Sequence, residues 1–84
     1  MMKIQLKLYA SLGQYLPAEA KKNEIEINVH DKATVEEVLR QYTVPNDMCH
    51  LVLVNGKFVA PSERGALILK NGDALAVWPP VAGG

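Results

Sequence analysis

The sequence predicts a two-layer α+β domain, a mixed sheet of about five strands with one main helix packed on one face. Three observations predict it. Lys3–Tyr9 and Glu24–Val29 alternate apolar and polar residues with the period of a half-buried strand. Only Thr34–Tyr42 carries a full apolar stripe at helical spacing behind a capping signature. The second half holds further apolar runs broken by Asn55-Gly56 and Asn71-Gly72. One amphipathic helix covers one face of a sheet, which gives two layers. The final strand is expected beside the first, in the middle of the sheet. The first two strands form one hairpin and the third and fourth another.

In the first strand Ile4, Leu6 and Leu8 face one way and Lys3, Gln5 and Lys7 the other. Ser11–Leu16 has room for a short helical turn before Pro17 ends it. In the second strand Ile25, Ile27 and Val29 form the apolar set, and antiparallel pairing sets Glu24 and Glu26 on the face of Lys3 and Lys7. Thr34 and Glu37 make the capping box of the helix; Val35, Val38, Leu39 and Tyr42 make its buried stripe, and Glu36 and Arg40 an ion pair on its wet side. Pro45 prevents continuation. Cys49–Val54 is the third strand, Asn55-Gly56 a type I′ turn, and Lys57–Ala60 a short fourth strand. Pro61–Gly65 is a loop and Ala66–Leu69 an apolar segment of undefined type. Asp73–Trp78 is the last strand.

The 84 residues hold one domain, over 1–78, and an extended tail over 79–84. So small a core leaves little room for an internal catalytic cavity. Nine basic residues balance nine acidic ones, which argues against an electrostatic grip on nucleic acid or an anionic membrane. A single cysteine, Cys49, forms no intrachain disulfide and suits a reducing cytoplasm. The start of the chain lacks a signal-peptide core, and no apolar run reaches the ~20 residues of a membrane helix.

The first two strands are polar away from the core, but the later ones are apolar on both faces. With one helix available, half of those side chains remain uncovered unless a loop folds over them. A docking face for another protein is therefore expected near the tail, with Phe58, Val59, Leu75, Val77 and Trp78 as its residues.

No catalytic constellation stands inside the chain. Cys49 and His50 are neighbours on a strand and point to opposite faces. One cysteine with two scattered histidines lacks metal-ligand spacing, so no metal is expected. The chemistry falls to the end of the chain. Pro79 and Pro80 stop the last strand and stiffen the neck of the tail; Val81, Ala82, Gly83 and Gly84 then shrink in size. Six extended residues reach about 20 Å at roughly 3.3–3.6 Å each. The reactive group at the tip is the Gly84 carboxylate. It is a poor acyl donor until a partner activates it, for example as an acyl-adenylate from ATP. The missing side chains at Gly83 and Gly84 let the backbone thread a narrow channel. A sulfur or nitrogen nucleophile then captures the acyl group.

Over nearly its whole length the chain resembles the small subunit of molybdopterin synthase, a ubiquitin-like β-grasp sulfur carrier. The resemblance rests on Lys3–Tyr9 leading into Ala10-Ser11-Leu12, on the Thr34–Tyr42 helix, on Val54-Asn55-Gly56, and on Asn71-Gly72-Asp73 running into Pro79-Pro80-Val81-Ala82-Gly83-Gly84. The terminal Gly-Gly is common to ubiquitin-like carriers; the Pro-Pro-Val-Ala-Gly-Gly ending is the specific part. The resemblance implies that a ubiquitin-activating-type adenylyltransferase, using ATP and magnesium that this chain does not itself bind, adenylates Gly84. A persulfide sulfur donor then yields a Gly84 thiocarboxylate. The tail enters the molybdopterin synthase large subunit, which holds the catalytic side chains, and its sulfur builds the dithiolene on cyclic pyranopterin monophosphate. A heterotetramer of two small and two large subunits is implied. Ala74, where an acidic residue is common, and Trp78, where an aliphatic residue or phenylalanine is usual, depart from the pattern. Other acceptors (tRNA thiolation, a tungsten pterin or another cofactor), a protein modifier joined through isopeptide bonds, and a non-catalytic interaction module are the competing readings.

Overall fold

The computed structural model describes residues 1–80. Its regular elements are β1 (Met2–Leu8), β2 (Glu24–Val29), α1 (Val35–Gln41), β3 (Leu51–Val54), β4 (Lys57–Phe58) and β5 (Ala74–Trp78), with short 3-10 turns at Ala10–Tyr15, Asn46–Met48 and Pro61–Glu63. The strands form one five-stranded sheet in the order β2-β1-β5-β3-β4. β1 and β5 are parallel; the other pairs are antiparallel. The last strand thus lies beside the first at the centre of a mixed sheet, which is the ubiquitin-like β-grasp.

Alternation decides which side chains enter the core. Ile4, Leu6 and Leu8 of β1, Val52 of β3, and Leu75 and Val77 of β5 pack against Val35, Val38 and Leu39 of α1. The helix starts as its capping box dictates. The Glu37 amide donates to Thr34 Oγ1 at 3.2 Å, and the Thr34 amide donates to Glu37 Oε1 at 3.4 Å. Asn55 and Gly56 both take positive φ, 53° and 82°, the geometry of the type I′ turn.

Strand ends are shorter than expected where side chains or turns compete with the ladder. Cys49 closes a 3-10 turn, its amide donating to Asn46 O at 3.2 Å, so β3 begins at Leu51. β4 stops at Phe58, ahead of the 3-10 turn opened by Pro61. Asp73 lies outside β5, and its carboxylate accepts from the Lys70 amide at 2.8 Å and from Asn55 Nδ2 at 2.8 Å. The Ala66–Leu69 segment runs along the start of α1: the Val35 amide donates to Leu67 O at 3.1 Å, the Leu69 amide to Ala33 O at 2.8 Å, and Ile68 bridges Thr34. This segment and the preceding 61–65 loop therefore lie on the helix side of the sheet, and Leu12 of the first 3-10 turn is buried in the core.

Candidate functional site

The root of the tail is anchored on both sides within the sheet. β5 sits between β1 and β3, with Val77 opposite Leu8 and Val52, and Trp78 opposite Leu51. Beyond the ladder, the Tyr9 amide donates to Val77 O at 3.1 Å and the His50 amide to Trp78 O at 3.0 Å. The Tyr9 ring stacks on Trp78 at 4.5 Å between centroids, with 15° between the planes. Pro79 is half-buried and Pro80 is exposed. The chain is thus held on both flanks up to Trp78 and released at two residues that cannot donate a ladder bond. Val81, Ala82, Gly83 and Gly84, the expected threading and reactive residues, lie outside the described residues. Sequence reasoning missed the Tyr9–Trp78 stack. Its signal was available: both aromatics have the parity of the outer face once β1 and β5 are set side by side.

The outer face departs from the expected residue set. Phe58 stands 59% exposed, and Trp78 is partly exposed. Val59, Leu75 and Val77 are core residues instead, at 4%, 0% and 0% exposure, and cannot contact a docked protein. The reason is register. Leu75 pairs with Leu6, and Val77 with Leu8, so both share the face turned to α1. Val59 follows β4, donates its amide to Val52 O at 2.9 Å and buries its side chain. Leu51, Leu53, Ala74 and Ala76 take their place, all partly exposed. Leu53 lies between Phe58 and Ala76, and Leu51 beside Trp78, so an apolar strip crosses β4, β3 and β5. Past β5 the face turns polar: Gln5 Nε2 donates to Glu24 Oε1 at 3.0 Å, and Lys3 Nζ stands 4.0 Å from Glu26 Oε1. The strip therefore ends at a polar and charged border along β1 and β2.

The internal candidates do not converge. The Cys49 thiol is buried, and burial pushes its pKa up although the Arg64 charge opposes that; Asp47 adds to the rise. A thiol held neutral is a weak nucleophile. His30 Nε2 stands 2.9 Å from Glu37 Oε2 at the helix start, and His50 is exposed where its neighbour Cys49 is buried. Among the described residues, no three His, Cys, Asp or Glu side chains are grouped to hold a metal ion, and no helix is long and apolar enough to cross a membrane.

Residues 1–83 match the family model described as Mut7-C ubiquitin. The chain is 32% identical over 96 residues to Small archaeal modifier protein 3 of Haloferax volcanii, covering 99% of this chain and 100% of that protein. The crystal structure of the Haloferax volcanii small archaeal modifier protein SAMP1 superposes with a TM-score of 0.67 at 25% identity, covering 98% of this chain and 99% of the other. A complex of subunits 1 and 2 of the molybdopterin-converting factor of Helicobacter pylori contains a chain of the same fold, with a TM-score of 0.58 at 17% identity, covering 99% and 100% of the two chains. The pinned central strand, the proline stop and these matches converge: the chain belongs to the Mut7-C ubiquitin family of ubiquitin-like proteins.

Proposed function

We propose that the chain is a sulfur carrier, the small subunit of a molybdopterin synthase, whose terminal Gly84 is adenylated and then converted to a thiocarboxylate that supplies sulfur for the molybdopterin dithiolene. The observation that supports it most is the root of the tail. A central strand locked on both sides runs into Pro79-Pro80 toward Gly83-Gly84, beside an apolar strip that no element of the described chain covers.

The chemistry is that of the end group. The Gly84 carboxylate attacks the α-phosphate of magnesium-bound ATP in an adenylyltransferase, expelling pyrophosphate and leaving an acyl-adenylate. A persulfide on the sulfur donor attacks the acyl carbon and displaces AMP. A further thiol then cleaves the sulfur–sulfur bond, forming a disulfide and releasing the thiocarboxylate. The large subunit holds the acceptor and the catalytic side chains for the final transfer. This chain's residues do the presenting: Phe58, Leu51, Leu53 and Trp78 dock, Pro79 and Pro80 stiffen the neck, and Gly83 lets the backbone pass. The single free cysteine and the balanced charge agree with work in the cytoplasm on protein partners.

Incubation with an adenylyltransferase, ATP, magnesium and a persulfide donor, followed by intact mass measurement, tests the loading step. Replacement of one oxygen by sulfur at Gly84 is expected; an unchanged mass overturns it. A stable complex with a pterin-synthase large subunit is expected to distinguish this acceptor from tRNA or a tungsten pterin. The similarity to Small archaeal modifier protein 3 favours a second reading, in which a lysine amine captures the same acyl-adenylate to give an isopeptide bond. Recovery of Gly84 joined to lysine in tryptic digests of cell extracts selects that outcome.

A further inference from the structure

We propose that the cleft between the C-terminal half of α1 and the 61–65 segment is a carboxylate-binding site, with the Arg64 guanidinium as its receptor. This stands apart from the tail and its chemistry. The cleft measures about 370 Å³ and has an apolar floor of Leu39, Val44 and Cys49. Arg64 lines it and is only 4% exposed, yet its Nε and Nη2 are buried with no hydrogen-bond partner among the described residues. A buried cation left without partners is strongly unfavourable, so such groups are normally paired. The backbone holds Arg64 where it is: its carbonyl accepts from the Glu36 amide at 3.0 Å, in the first turn of α1.

The unmet donors identify the occupant. Nε–H and the neighbouring Nη2–H lie on one edge of the guanidinium and point the same way. That edge matches the two oxygens of a carboxylate, the bidentate arrangement for which arginine is suited. Glu36, the one carboxylate among the cleft's described lining residues, makes no ion pair with Arg64; its Oε1 accepts from Arg40 Nη2 at 2.7 Å. Asp47 is exposed beyond the floor, and Glu63 accepts instead from the Ala60 amide at 3.4 Å. One uncompensated positive fork above an apolar floor fits a monoanion on a short aliphatic stem better than a phosphate of higher charge. The floor residue Cys49 adjoins His50, whose amide is bonded to Trp78 O at the tail root. A carboxylate side chain of a partner protein supplies such a monoanion. A small free carboxylic acid presents the same chemistry.

Nitrogen-15 spectra of the full chain, read at the arginine Nε–Hε signals, test the site with sodium propionate as the probe and sodium chloride at matched ionic strength as the control. Saturable movement of the Arg64 signal with propionate is expected, accompanied by the Cys49 amide. Arg64→Met, an apolar replacement of similar length, is expected to stay folded with an equal or higher thermal midpoint and to lose the propionate response. Arg64→Lys is expected to bind about tenfold or more weakly, because it keeps charge but not the fork. A blocked peptide carrying one glutamate separates the sources: tighter binding than propionate indicates a protein side chain, and equal binding a small acid. The proposal is overturned if chloride or phosphate reproduces the response, or if Arg64→Met still binds propionate. It is also overturned if the free protein already shows a carboxylate-bound Arg64 signal that Glu36→Gln or removal of Gly83-Gly84 releases.

Discussion

Asn55 does two jobs from one side chain. Its Oδ1 accepts from the Ala74 amide at 2.9 Å while its Nδ2 donates to Asp73 Oδ1 at 2.8 Å, fastening the β3–β4 turn to the start of β5. Asn55→Ala frees the Ala74 amide and also loses a residue suited to positive φ, so a loss of about 1–2 kcal/mol is expected in urea denaturation. Glu37 carries a pH signature. Its carboxyl is held below the ordinary value of 4.5, chiefly by the His30 hydrogen bond; desolvation opposes this, and the Thr34 bonds and the His30 charge add to the lowering. A lowered folded-state pKa contributes stability that is present above 4.5 and is lost as pH falls through the lowered value. Glu37→Gln is therefore expected to flatten the acid limb of the stability profile, measured by denaturation midpoints between about pH 6 and about pH 3. The two residues differ in how readable they were. Glu37 stands three positions after Thr34, a spacing that names its role. Asn55 and Asp73 are 18 apart, and no local period announces a partnership that exists only once β3 and β5 are neighbours.

Elements show the same division. The capping box and apolar stripe of α1 were legible because both are local: the helix starts behind its expected cap, Thr34, while Tyr42, read as the last residue of the stripe, forms its C-cap. Thr34→Ala is expected to cost about 1 kcal/mol of stability, read from the shift in denaturation midpoint. β5 was not legible in the same detail. All of Ala74–Trp78 is apolar, so alternation carries no contrast and the inward set could not be told from the outward one. Its pairing with β1, whose polar and apolar residues do alternate, resolves the ambiguity and moves Leu75 and Val77 into the core. A matched pair of substitutions makes the distinction measurable. Leu75→Ala is expected to cost about 2–5 kcal/mol, as deep core truncations do. Phe58→Ser is expected to leave stability within about 1 kcal/mol and instead to weaken capture by the adenylyltransferase or the large subunit in pull-down assays.

At the scale of the whole molecule, one helix and five apolar or alternating segments sufficed to place the last strand beside the first. The cleft that holds Arg64 was invisible by contrast. Its lining comes from α1, the turn after it and the 61–65 segment, which only tertiary packing brings together. The carrier reading makes a prediction at this scale too. One extra, uncleavable residue after Gly84 is expected to leave the thermal midpoint unchanged and to abolish sulfur loading in the mass assay.

The parallel pairing of β1 and β5 also has a mechanical meaning. The chain enters β1 at Met2 and leaves β5 at Trp78, on opposite ends of two strands that run the same way. Tension applied between the two ends slides these strands lengthwise, loading all of their cross-links at once instead of peeling them singly. Force between the two ends is thus met in shear by the whole β1–β5 ladder, the arrangement in which a strand pair resists extension better than when it is unzipped from one end.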